Sequence, residues 1–251
     1  MQSRAVRLSV QIGFILVLAL TWHLLTQARA VSPLLLPPFG QVMSEFGNIL
    51  RTGDFVDDLK LTLYELFVAF SLAATLGCAL GYVISRSRFA VRVFDPLLSG
   101  IYSIPSILLF PLYVLIFGLG PNSKIAIGAT IAFFPIILNA IAGLSRVDAA
   151  YITAARSMGA SDWRLFWSVM LPAAFPVIIT GLRMGLILSF LSILGAETIA
   201  SLGGLGHRIV VFADAMDMSK MFAYTLLVIC IAMILNILVT WLESRSQRHY
   251  A

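Results

Sequence analysis

Long apolar runs broken by short polar connections set the pattern of this chain. Such runs lie near residues 8–25, 61–84, 97–118, 125–143, 173–196 and 222–242. Each approaches or exceeds the roughly 20 residues that a helix rising 1.5 Å per residue needs to cross ~30 Å of hydrocarbon. None alternates apolar and polar positions with a period of two, as the strands of a membrane barrel would. The pattern predicts an all-α polytopic membrane protein of about six transmembrane helices, forming a single membrane domain over residues 1–251. Pro105, Pro111, Pro135 and Pro176 fall inside the predicted helices. There each removes a backbone donor and disturbs the preceding turn, a disturbance that suits helices lining a pathway and packed helices alike.

The connections differ in character. The stretch "VSPLLLPPFGQV" (31–42) carries three prolines and a glycine and reads as extended. Beyond it, Ser44 and Asp54 are placed to cap short amphipathic helices at the membrane surface. Between the fourth and fifth runs lies "ITAARSMGASDWRLFWSVMLP" (152–172), within a predicted elbow over 147–172. Helical periodicity over 151–158 ends at Gly159, where a left-handed residue would close the helix. Ser161 is then an N-cap and Asp162 a first-turn carboxylate for a second helix, with Trp163 and Trp167 at interfacial depth. Helix, glycine and helix make a projecting knob, mostly uncharged, on which Ala154 and Ala155 would let another backbone approach. That shape suits docking to a partner; a plain loop is the other reading.

Composition fits the helical reading. The chain has 251 residues, 60% hydrophobic and 12% charged, and a mean hydropathy of +0.96, which a soluble domain does not reach. The net charge of +5 is scattered over short connections and makes no basic face for nucleic acid. With the N-terminus inside, the inner segments hold Arg4, Arg7, Arg86, Arg88, Arg92, Arg146, Arg156, Arg164, Arg245 and Arg248. The outer segments hold Arg29, Arg51, Lys60, Lys124, Arg208 and Lys220. This excess predicts both termini in the cytoplasm. An "ARA" triplet (28–30) follows the first run like a signal-peptide cleavage site, but the run is longer than a usual signal core and ends in Trp22 and His23, so a retained helix is expected. Cys78 and Cys230 fall within helices, and His23, His207 and His249 lie far apart, so neither a disulfide nor a metal site is implied.

The elbow resembles a cytoplasmic signature of ABC-importer permeases: Thr153-Ala154-Ala155, then Gly159, Val169 and Leu171-Pro172, with every spacing matched. Thr153 stands where that family usually has Glu. The likeness extends through "LLPPFGQV", "FDPLLSGIYSIPSILLFPLYVLIFGLGPNSKI", "FFPIILNAIAGLSRVD" and "GLRMGLILSF", then Glu197 and the "GLG" at 204–206. It looks closest to the nitrate/sulfonate/taurine type. The resemblance implies the ABC importer permease fold in a bacterial inner membrane, with two permease copies, two ATP-binding subunits and an external solute-binding protein. Thr153, Ala154, Ala155, Gly159, Ala160, Ser161, Asp162, Leu171 and Pro172 would form the coupling helix seated on the ATPase. ATP and Mg would be bound by that partner, with no cofactor and no catalysis in this chain. No G-x-x-x-x-G-K-[ST] phosphate loop occurs, and "GLGPNSK" (118–124) lacks its spacing.

Glu65, Arg183 and Glu197 are ionisable residues in or near the hydrocarbon, where burying charge is expensive. Arg183, eleven residues past Pro172 and so ~16 Å along a helix, would hold a passing anion or pair with Glu65 or Glu197. Related permeases often carry a basic residue near the position of Glu65. Tyr102, Phe110 and Phe134 are candidates to line the pathway, or else pack against neighbouring helices. A stand-alone secondary transporter is the alternative function and would be favoured by an inverted repeat, which is not evident. An intramembrane enzyme would need paired acids or a nucleophile constellation.

Overall fold

The computed structural model describes residues 4–28 and 30–247. Arg29, Arg248 and His249, named above, lie outside the described residues, as do the side chains of Arg4, Arg7 and Arg245. The described chain is helical: α1 (Arg4–Gln27), α2 (Phe39–Thr52), α3 (Val56–Ser85), α4 (Arg88–Tyr102), α5 (Phe110–Phe117), α6 (Pro121–Ser145), α7 (Ala149–Ser157), α8 (Asp162–Leu165), α9 (Leu171–Ile199), α10 (Leu205–Asp214) and α11 (Met218–Gln247). It divides into two compact units, Met1–Asp58 with Arg208–Ile231, and Leu59–His207 with Ala232–Ala251.

Among the described residues, four helices are long and apolar enough to cross a membrane: Val56–Ser85, Pro121–Ser145, Asp162–Ile199 and Met218–Trp241. Arg88–Tyr102 and Ser106–Phe117, bent by 73°, add a fifth among the described residues if they count as one. The helix expected over 97–118, with its prolines disturbing it, is broken into two. Pro105 fixes its own φ at −64°, removes a donor and keeps the preceding residue out of the helical region. Pro111 stands in the first turn of α5, where a missing N–H is no loss. Pro135 and Pro176 do lie inside long helices, α6 and α9. The first run forms α1, a helix of 24 residues, whose apolar stretch among the described residues is Leu16–Gln27.

In the first unit, Trp22 of α1 donates from Nε1 to the Pro37 carbonyl at 2.9 Å. Its ring meets Phe39 and Phe222 at centroid distances of 5.7 and 5.4 Å. The expected extended stretch over 31–42 turns helical at Phe39, directly after Pro38 supplies an extended ψ of 133°. Ser44 therefore lies inside α2 and caps nothing, while Asp54 sits in the turn before α3. Arg208 donates to Asp58 at 2.8 Å, and this bond raises the guanidinium pKa further above its usual value.

In the second unit, α6 is the central helix and its pairing with α9 is the most extensive helix contact. It is buried almost all round, from Ser123 to Leu144. The contact is close because small residues alternate with branched ones. A Cβ added at Gly181 would stand 2.5 Å from the Asn139 Cβ, and one at Gly185 would stand 2.6 Å from Ile136 Cδ1. Ala73, Ala132 and Ile136 form one core cluster; Phe110, Ile127 and Ala196 another; Leu144, Ala174 and Ile178 a third. The outward faces carry large apolar side chains such as Phe67, Phe89 and Leu115, at 73%, 78% and 82% exposure. That inversion suits a lipid environment.

Candidate functional site

Two places in the second unit concentrate chemistry: the elbow at one end of the α6–α9 pair and a buried charge cluster at the other.

Asp148 opens the elbow, accepting from the Ala150 N–H at 2.8 Å as the N-cap of α7. The helix closes by reversal. Gly159 adopts φ +78°, its N–H donates to the Arg156 carbonyl at 2.9 Å, and the Ala160 N–H donates to the Ala155 carbonyl at 3.0 Å. This pair of bonds satisfies the last carbonyls of α7 and requires the left-handed residue that only glycine adopts without strain. Ser161 then accepts from the Arg164 N–H at 3.4 Å and caps α8.

The second arm is not a separate short helix. It passes through a π-helical turn at Phe166–Met170 straight into α9, making one helical body from Asp162 to Ile199. The Leu171 N–H reaches back to the Phe166 carbonyl, so the wide turn falls just ahead of Pro172, which has no N–H to offer. The second arm of the elbow and the apolar helix are thus one stretch of 38 residues.

Of the two alanines, Ala154 is exposed, while Ala155 is only 5% exposed. Thr153 is exposed. The apex presents Tyr151, Met158 and Trp163, with Trp163 packed edge-on to Trp167 at 5.4 Å. Beside it lies a groove of about 450 Å³ lined by Tyr151, Ala154, Met158, Ser168, Val169 and Pro172, among others. Asp162 stands 3.6 Å from both Arg86 and Arg156.

At the opposite end, Thr62 and Glu65 of α3, Lys124 of α6 and Glu197 of α9 are each at most 1% exposed. Glu197 accepts from the Thr62 hydroxyl at 2.6 Å and from the Gly206 N–H at 2.7 Å. Thr62 in turn accepts from the Leu205 N–H at 3.1 Å. Gly204, at φ +101°, lies so close that a Cβ there would overlap the Glu197 carboxylate. Lys124 donates to the Leu119 and Gly120 carbonyls, the latter at 3.1 Å, and faces both glutamates electrostatically. No hydroxyl or backbone N–H donates to Glu65, whose carboxyl pairs with that of Glu197. The cluster ties the loop after α9 to α3 and α6.

The candidate pathway residues thus separate. Glu65 and Glu197 meet, as sequence allowed, but the cation between them is Lys124, which charge counting had assigned to an exposed connection. A lysine directly before the apolar run at 125–143 was the available signal. Arg183 pairs with neither glutamate. It bonds Glu243 of α11 at 2.9 Å and Asn236 at 3.2 Å, because it lies nearly four turns before Glu197 along α9. Tyr102 stacks on Phe134 at 5.8 Å. Phe110 is fully buried and packs against Ile127 and Ala196.

Residues 73–248 match the model of the family described as binding-protein-dependent transport system inner membrane component. The chain is 34% identical over 212 residues to the taurine transport system permease protein TauC of Escherichia coli (strain K12), covering 82% of this chain and 76% of that one. It is 29% identical over 212 residues to the nitrate import permease protein NrtB of Synechocystis sp., covering 84% and 75%. Its fold superposes on the MetNI methionine ABC transporter in an inward-facing conformation with a TM-score of 0.64 at 22% identity, covering 78% of this chain and 96% of that one. The fold class is that of ABC transporter permeases, and the chain belongs to the family of binding-protein-dependent transport system inner membrane components.

Proposed function

We propose that this permease is the translocation subunit of an ATP-driven importer for a small anion of the taurine, sulfonate or nitrate kind. In this reading it works in a bacterial cytoplasmic membrane with both termini and the elbow inside. A second permease copy, two ATP-binding subunits and an external binding protein complete the assembly. ATP and Mg stay on the partner, and the elbow seats in the ATPase surface. Closure of the ATPases then tips α9 between two packings, a transition of the bistable kind that packed helices favour.

The observation carrying the coupling step is the continuous helix from Asp162 to Ile199, reversed at Gly159 onto an exposed apex. The anionic solute rests on the named substrates of the taurine and nitrate relatives. The test is reconstitution in liposomes with the cognate ATP-binding subunit and binding protein, measuring ATP hydrolysis and uptake of taurine, an alkanesulfonate and nitrate. ATP-dependent uptake of one of them, with Gly159→Val retaining the folded chain but losing coupled uptake, supports the reading. Uptake that needs no ATPase would refute it.

A further inference from the structure

A cavity of about 510 Å³ opens in the second unit where α3 ends, α4 begins and the elbow returns. Four arginines line it, Arg86 and Arg88 flanking the α3–α4 turn, Arg92 one turn into α4, and Arg156 on α7. Asp162 is the one acid in the lining. It is shared at 3.6 Å between Arg86 and Arg156, too long for a hydrogen bond, and Arg86 also lies over the Tyr82 ring at 5.9 Å. Arg88 and Arg92 have no carboxylate partner among the described residues. The cavity therefore holds an unbalanced positive charge in a recess.

Its surroundings fix the depth. The cavity stands at the Ser85 end of α3 and the Ser145 end of α6, where two apolar spans reach a membrane surface. Beside it, α4 buries none of its residues and exposes Phe89, Phe94, Leu97 and Ile101. Such a helix, apolar on one side and arginine-bearing on the other, lies where acyl chains meet headgroups. Planar guanidinium forks match the oxygens of a phosphate in pairs.

We propose that this cavity binds the phosphate of an anionic phospholipid headgroup, held by Arg88 and Arg92 from α4 and by Arg86 and Arg156 across the elbow root. A phosphate there replaces the two long contacts of Asp162 with charge-assisted bonds and ties α7 to the α3–α4 turn. This site is independent of whether the elbow couples to an ATPase.

The test uses the full chain purified in neutral detergent, with bound lipids counted by native mass spectrometry during titration with phosphatidylglycerol, phosphatidylcholine or inorganic phosphate. The native chain should retain phosphatidylglycerol in preference to phosphatidylcholine. Each arginine near an anionic headgroup contributes roughly fivefold in affinity, so Arg88→Gln with Arg92→Gln should weaken retention about thirtyfold. The same charge loss at Arg146 and Arg164, which do not line the cavity, should leave it unchanged. Displacement of phosphatidylglycerol by millimolar phosphate would support a headgroup-phosphate site, whereas phosphate binding with no retained phosphatidylglycerol would overturn the lipid assignment. Equal loss in both double variants, or no preference for the anionic lipid, would overturn the proposal. Both pairs of positions are exposed at the surface, and a thermal melt of each variant checks the fold.

Discussion

Replacing either buried glutamate with glutamine isolates what hydrogen bonding contributes at the Lys124 cluster. Glu65→Gln and Glu197→Gln each leave one carboxyl facing Lys124. They differ in their donors. Glu197 accepts the Thr62 hydroxyl and the Gly206 N–H, and Thr62 is already engaged by the Leu205 N–H. A glutamine amide there must turn its NH₂ toward one of these donors and lose that bond. Since hydrogen bonds to charged groups contribute roughly 1.5–3 kcal/mol, Glu197→Gln should cost about 2 kcal/mol. No hydroxyl or backbone N–H donates to Glu65, whose carboxyl pairs with that of Glu197, and in Glu65→Gln an amide N–H can take over that contact. It should be neutral or stabilising by up to about 1 kcal/mol. At roughly 2–4 °C per kcal/mol for a chain of this size, thermal unfolding in detergent followed by tryptophan fluorescence should drop about 4–8 °C for Glu197→Gln only. Equal drops in the two variants would show that charge, and not the Thr62–Glu197–Gly206 bonds, holds the cluster.

Other perturbations follow from the same geometry. Lys124→Met should destabilise by roughly 3–5 kcal/mol, since it leaves two buried carboxylates without their cation; a melting temperature within error of the native chain would contradict this. Gly204→Ala should destabilise the loop after α9, because the residue sits at φ +101° with its Cβ directed at Glu197, and limited proteolysis of that loop is the readout. Gly181→Leu should cost at least about 1–3 kcal/mol by forcing α9 off α6, whereas Gly195→Ala, with open space at its Cβ, should be silent in the same melt. Arg183→Ala should lower stability by only about 1 kcal/mol, its pair with Glu243 being partly solvated, and a mutant cycle with Glu243→Ala measures the coupling.

What the linear pattern carried, it carried locally. The elbow was legible because a helix end is written in adjacent residues: Gly159 for the left-handed reversal, Ser161 for the cap and Asp162 for the first turn. The identity of the long helices was equally legible, since hydrocarbon admits backbone only with its hydrogen bonds closed within the helix. The number of spans was less so. Pro105 marks a break in the run over 97–118, but the 73° angle is not written in it and goes with the packing of both halves against α6.

Partner choice was not legible at all. Glu65, Lys124 and Glu197 come from three helices, and only the superposition of the start of α3, the start of α6 and the end of α9 brings them together. Sequence offered Arg183 as their cation because it stands inside an apolar run. The α9 register instead places Arg183 nearly four turns from Glu197, beside Glu243 and Asn236. Local chemistry thus fixed which segments are helices, where they end and how the chain reverses. The tertiary structure alone decided which buried charges meet, because in a low-dielectric interior a charge is retained only beside its partner, and partners far apart in sequence are chosen by packing.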